Sequence, residues 1–199
     1  MSTLDDCAKT LTYLHGLGRK DGGYADQTAN ARAGLQHTAS VCRALRLLDG
    51  QVDDPRATLA FVHRCFDARS GGFSERPGAQ PTVLCTALAL IALRTLHDGG
   101  GLAERTRAAV TFLAREARSA MDHFMVVAAH EEAELPVPPP LSSVDFFQSA
   151  RQPDGTFGDS AFANAVASAA LLRAGQPIIH PAAVVRRLQG AQGLSLIHI

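Results

Sequence analysis

Tryptophan is missing from this 199-residue chain, and tyrosine occurs only twice. A sugar-processing cavity is expected to carry tryptophan and paired carboxylates, so the lack of indole argues against one. An excess of charge is missing as well: 19 Lys and Arg face 19 Asp and Glu, and the isoelectric point is about 7.1. Without a basic stripe to hold phosphate backbones, nucleic acid is not an expected partner. The longest apolar run, around Val83 to Leu93, falls short of the ~20 residues that a membrane span needs. The opening Met1-Ser-Thr-Leu-Asp-Asp6 is acidic and has no apolar core, which speaks against a secretory or transit segment. Cys7, Cys42, Cys65 and Cys85 show no Cys-x-x-Cys spacing, and three of them sit in apolar helical patterns. Reduced, mostly buried thiols in a soluble, cytoplasmic protein are the expectation.

What the chain does have is a recurring cassette: a short apolar helix, a Gly-x-aromatic turn, and a longer Ala/Leu-rich helix. The turns are Asp21-Gly22-Gly23-Tyr24, Ser70-Gly71-Gly72-Phe73 and Asp154-Gly155-Thr156-Phe157. Gly22 and Gly71 stand 49 residues apart, and Gly71 and Gly155 stand 84 apart, room for two shortened periods with a degenerate copy between them. Spacing in this range marks a helical repeat whose units bury their apolar faces against their neighbours.

The 3–4 spacing of Leu4, Cys7, Ala8, Leu11 and Leu14 predicts an outer helix over Leu4 to Leu17. Leu35 to Leu48 and Val83 to Leu96 are apolar nearly all round, as inner helices with neighbours on every side should be. They align at an offset of 48, with His37-Thr38-Ala39 on Cys85-Thr86-Ala87. Pro55 to Phe66 and Arg105 to Ala117 read as outer helices, and Met121 to Glu134 as the inner helix of a third unit. There the Gly-x-aromatic loop is missing, and Ser119-Ala-Met-Asp-His123 joins the two helices directly. Pro136-Val-Pro-Pro-Pro140 forces an extended spacer. Ser142 or Ser143 is expected to cap a fourth outer helix, Val144 to Arg151, which is followed by an inner helix over Phe162 to Leu172. Pro181 to Gln192 begins a fifth outer helix.

The stretch from Arg69-Ser-Gly-Gly-Phe to Thr86-Ala-Leu-Ala-Leu90 resembles the prenyltransferase and squalene-oxidase repeat of bacterial protein prenyltransferase β-subunit-like proteins and of squalene and hopene cyclases. Gln152-Pro-Asp-Gly155-Thr-Phe157 is similar to the cyclases' Gln-x-x-Gly-x-Trp motif, with Phe in place of Trp. The likeness runs from about Leu11 to Gln192. It implies an all-α fold, an α/α toroid of helical hairpins, here an incomplete open arc over 1–193, and a central apolar cavity for an isoprenoid chain. Carried over residue by residue, the family's zinc-binding Asp-x-Cys falls on Thr82 and Leu84, neither of which can ligate zinc. Cys85 stands one residue late, about 100° round a helix. No metal site and no cofactor are therefore expected in this chain, although the resemblance leaves room for zinc in a longer protein. The cyclases' Asp-x-Asp-Asp has no counterpart, since Asp49-Gly-Gln-Val-Asp53-Asp54 has the wrong spacing and reads as a solvated loop.

Polar residues at inner-helix starts are the candidates to line the cavity: His37, Thr38, Cys85, Thr86 and Asn164, joined by Asp122 and His123. Helix N-termini also offer free N–H groups to an anion such as diphosphate. For Thr38, Thr86 and Asn164, capping of the first turn is the preferred reading. His37 is as suited to a structural role as to a ligand-facing one. Asp122 and His123 are weak catalytic candidates for acid/base work, with exposure on the surface preferred. His130-Glu131-Glu132 reads as a solvated helix end, and Cys42 and Cys85 read as small core residues. Tyr24, Phe73 and Phe157 each staple a turn to its own helix pair. Two functions compete: an isoprenoid-handling enzyme of the prenyltransferase or cyclase type, and a non-catalytic toroid that binds a protein or lipid partner.

Leu194-Ser-Leu-Ile-His-Ile199 is what CTG TCT CTT ATA CAC ATC encodes, which resembles a sequencing-library transposon end. Residues 194–199 are accordingly expected to be a non-native tail on a truncated chain. An edge cut in this way should expose Val166, Leu171, Leu172, Val184, Val185 and Leu188 and favour self-association.

Overall fold

The computed structural model describes residues 3–28, 31–96, 102–136 and 138–195, and among them the chain is all-helical, with nine α-helices and no strand. It divides into two compact units, Met1–Glu116 and Ala117–Ile199.

The first unit holds α1 (Thr3–Gly16), α2 (Leu35–Leu47), α3 (Pro55–Arg64), α4 (Val83–Thr95) and α5 (Leu102–Glu116). Helix α4 carries no charge before Arg94, and it packs against α2, α3 and α5 with Val83, Cys85, Thr86, Ala87 and Ala89 to Leu93 buried. Helix α2 departs from the expectation of neighbours on every side. Gln36, His37, Ser40, Arg43, Arg46 and Leu47 lie exposed, because the arginines at 43 and 46 hold that face in water. Pro55 opens α3, and the Asp54 carboxylate accepts from the Ala57 amide at 2.9 Å. Asp49, Asp53 and Asp54 are all exposed in their loop.

The second unit holds α6 (Ala120–Glu132), α7 (Leu141–Ser149), α8 (Ala161–Arg173) and α9 (Pro181–Ser195). Helix α7 starts three residues earlier than the apolar pattern predicts. Pro140 stands at its N-cap without a side-chain cap, and Ser143 lies buried inside the helix instead of capping it. The expected apolar edge is also corrected. Val166, Leu171 and Val184 are buried with Val144, Phe147 and Phe157 in one core, and Leu188 packs against it, so α7, α8 and α9 cover one another. Leu172 and Val185 alone of the six are exposed. Helix α9 runs on through Leu194 and Ser195, while 196–199 lie outside the described residues.

Candidate functional site

The three glycine turns share one hydrogen-bond scheme. The amides of Arg19, Asp67 and Gln152 donate to the carbonyls of Gly23, Gly72 and Thr156 at 2.8–2.9 Å, and those of Gly22, Gly71 and Gly155 close each turn on itself. A short polar side chain then holds the next amide: Asp21 for Gly23, Ser70 for Gly72 and Asp154 for Thr156. Gly22, Gly71 and Gly155 have φ of 89°, 82° and 87°, a region that L side chains avoid. Space is the second constraint. A Cβ on Gly22 would overlap the Ala57 carbonyl of α3, one on Gly71 would lie 3.0 Å from the Ala108 carbonyl of α5, and one on Gly155 would lie 2.7 Å from that of Ile179. The first two turns thus pack under α3 and α5, and the third under the residues just before α9. Tyr24, Phe73 and Phe157 are buried beside the turns, and Phe73 meets Phe66 at 5.1 Å between ring centroids.

The helix after each turn grips it by one residue. The Tyr24 amide donates to Thr38 Oγ1 at 2.9 Å, the Phe73 amide to Thr86 Oγ1 at 2.9 Å, and the Phe157 amide to Asn164 Oδ1 at 3.0 Å. The same side chains donate back to the carbonyls of Gly34, Thr82 and Ser160. All three are buried, and all three stand four residues after the N-cap of their helix. They are neither cavity-lining nor simple caps: each ties a turn to its helix.

In α6 the N-cap is Ser119, so the equivalent position is His123. No glycine turn precedes this helix, and no turn amide is there to grip. His123 instead lies with Nδ1 3.1 Å from Ser143 Oγ of α7 and its ring stacked on Phe146 at 4.3 Å. It is 8% exposed, which corrects the surface reading, and burial lowers its pKa despite the nearby Asp122. The names Ser143, His123 and Asp122 suggest a triad, but the geometry does not form one. Asp122 accepts from the amides of Ser119 and Arg118, completing a capping box with Ser119. Burial alone would raise the pKa of this carboxyl, yet those donors outweigh it and hold it low. A carboxylate committed to a helix start cannot orient the imidazole, so no relay is assembled.

The N-termini of α2, α4 and α8 are likewise occupied. In α2, which has no side-chain cap of its own, the Leu35 amide donates to the Glu75 carbonyl at 2.9 Å and the Gln36 amide to Glu75 Oε2 at 3.1 Å. Thr82 caps α4 through the Cys85 amide, and Ser160 caps α8 through Ala163. The Cys85 thiol lies 3.5 Å from Glu75 Oε2, and burial and this carboxylate raise its pKa, the reverse of what a nucleophile needs. Burial pushes Cys42 and Cys65 up to about 12. His37 is exposed. At the two positions onto which the resemblance would carry zinc ligands stand the Thr82 cap and a half-buried Leu84.

His130 corrects the solvated-end reading: it is 5% exposed, while Glu131 beside it is open. Arg173 of α8 bridges Glu131 and Glu132 and lies over the Phe124 ring. His130, Glu131 and Arg173 line a groove of about 320 Å³ together with Leu135, Pro136, Pro138 and Pro139. Sequence reasoning missed Glu75, Ser143 and Arg173 because their partners lie 39, 20 and about 42 residues away. His123 was within reach of it, since the helix-start register aligns it with Thr38 and Thr86. No protein-family model matches the chain, and no curated protein matches it in sequence.

Proposed function

We propose that the chain is an α/α repeat protein of the prenyltransferase and terpene-cyclase type that handles an isoprenoid chain against an apolar, toroid-like interior. The observation that carries this reading is the turn module, built three times with the same bonds and the same positive-φ glycine. An apolar ligand needs an uncharged wall, and α8 offers one. Phe162, Ala165 and Leu172 are exposed and Ala169 is partly so, at 3–4 residue spacing on one face.

Binding without turnover is the second reading. It is favoured by the structural engagement of Thr38, Thr86, Asn164 and Asp122. The occupied N-termini of α2, α4, α6 and α8 favour it too, since their bonded N–H groups are not free to hold a phosphate.

Titration of the full chain with a fluorescent farnesyl alcohol and the matching farnesyl diphosphate tests both. Saturable binding of the two with similar strength is expected, with no released diphosphate. Diphosphate release would replace the second reading with catalysis, and failure of both ligands to bind would overturn the proposal.

A further inference from the structure

His130 sits in the last turns of α6, and its surroundings are made for a neutral ring. Nδ1 lies 2.8 Å from the carbonyl oxygen of Val126, one helical turn back. A carbonyl only accepts, so Nδ1 carries the hydrogen and Nε2 keeps its lone pair. Nε2 is closed off from solvent and has no hydrogen-bond partner among the described residues. The ring forms part of the groove wall, which it shares with Pro136, Pro138 and Pro139, residues that have no N–H to offer that lone pair.

The charged groups around it are either engaged with one another or exposed to water. On α6 itself, Glu131 and Glu132 are held by Arg173, which α8 contributes to the same groove. Helix α7 carries Asp145, which is exposed, and brings Phe146 and Phe147 to the other buried histidine, His123. Glu134, just past the end of α6, is exposed. A proton placed on Nε2 would create a buried cation whose new N–H meets no acceptor among the described residues, a costly state that opening to water relieves.

We propose that His130 is a proton-operated latch: at mildly acidic pH its protonation opens the C-terminal end of α6 and with it the groove beside Arg173. The device is independent of what the chain binds. Burial lowers the His130 pKa, with the Val126 bond opposing in part, which is the direction the latch requires. The open form takes up a proton below the ordinary histidine value near 6.5, and the closed form does not. The closed state is therefore fully favoured above that pH and is lost as pH falls towards the closed-form value.

Hydrogen exchange of the full chain, read by mass spectrometry between pH 7.5 and 5.5 and corrected for intrinsic rates, tests the latch. Opening of a peptide spanning Val126 to Leu135 should rise about tenfold per pH unit below 6.5, the slope for one proton, while α4 stays unchanged. His130→Phe should abolish the dependence. Unchanged exchange, an equal rise in α4, or a dependence that survives in His130→Phe would overturn the proposal. Should His130→Phe fail to fold, an NMR titration of the native chain decides: a His130 signal still neutral at pH 5.5 supports the latch, and a midpoint near 6.5 defeats it.

Discussion

Helices α2, α4 and α8 begin with a residue that grips a glycine turn, whereas α6 begins the same way with nothing to grip. At Thr38, Thr86 and Asn164 the side chain is consumed by a backbone amide. At His123 the same position is released to meet Ser143 and Phe146 on the next helix. The position without a turn is not empty: its partner is a neighbouring element and not the chain's own loop, and its residue is a ring that spans the gap where the others are a small hydroxyl or amide.

The strongest way to break this contrast is to damage a turn. Gly22→Ala combines positive φ with overlap on the Ala57 carbonyl, and should cost about 3 kcal/mol or more. Gly78→Ala, at φ 80° with open space around it, isolates the strain and should cost about 1 kcal/mol. Thermal melts of the two variants give the difference, and equal melting points would refute the packing role.

Next in size is the grip. Thr86→Val keeps the shape but leaves the buried Phe73 amide without its acceptor, for about 1–3 kcal/mol. His123→Phe strands no backbone amide and keeps the ring on Phe146, so its loss in chemical denaturation should be smaller. A larger loss would place His123 among the structural grips.

Thiol chemistry sharpens the comparison between exposed and buried positions. Cys42 and Cys65, raised to about 12 by burial, should resist iodoacetamide at pH 8 in the folded chain, while half-buried Cys7 reacts first. Peptide mass spectrometry reads the order. The smallest effect is expected from Glu75→Gln. It removes the negative charge at the start of α2 but keeps an acceptor for the Gln36 amide, for about 0.5 kcal/mol in denaturant unfolding.

Helices and turns were legible in the sequence because both rest on local rules. Apolar periodicity placed the helices to within a few residues, and Gly-x-aromatic placed the turns where φ is in fact positive. Exposure was less legible. Helix α2 looked inner by its apolar count, yet two arginines hold one face in water, and Val166, Leu171 and Val184 looked like an open edge that α9 helps to close. The site was least legible. Asp122 and His123 are adjacent in sequence but diverge in space, one to a helix cap and one to α7, because consecutive helix positions point about 100° apart.

The ceiling over each turn glycine sets where this chain can be cut and rejoined. Gly22 closes on α3 and Gly71 on α5, so a hairpin lifted out by itself would leave its turn facing a foreign carbonyl. The transferable block runs from one turn through the first half of the helix that covers it. An engineer who wants to lengthen the array should splice within the second half of a covering helix, beyond Ala57 in α3 or Ala108 in α5. A graft made there carries the glycine and its ceiling together, and one made at the loop separates them.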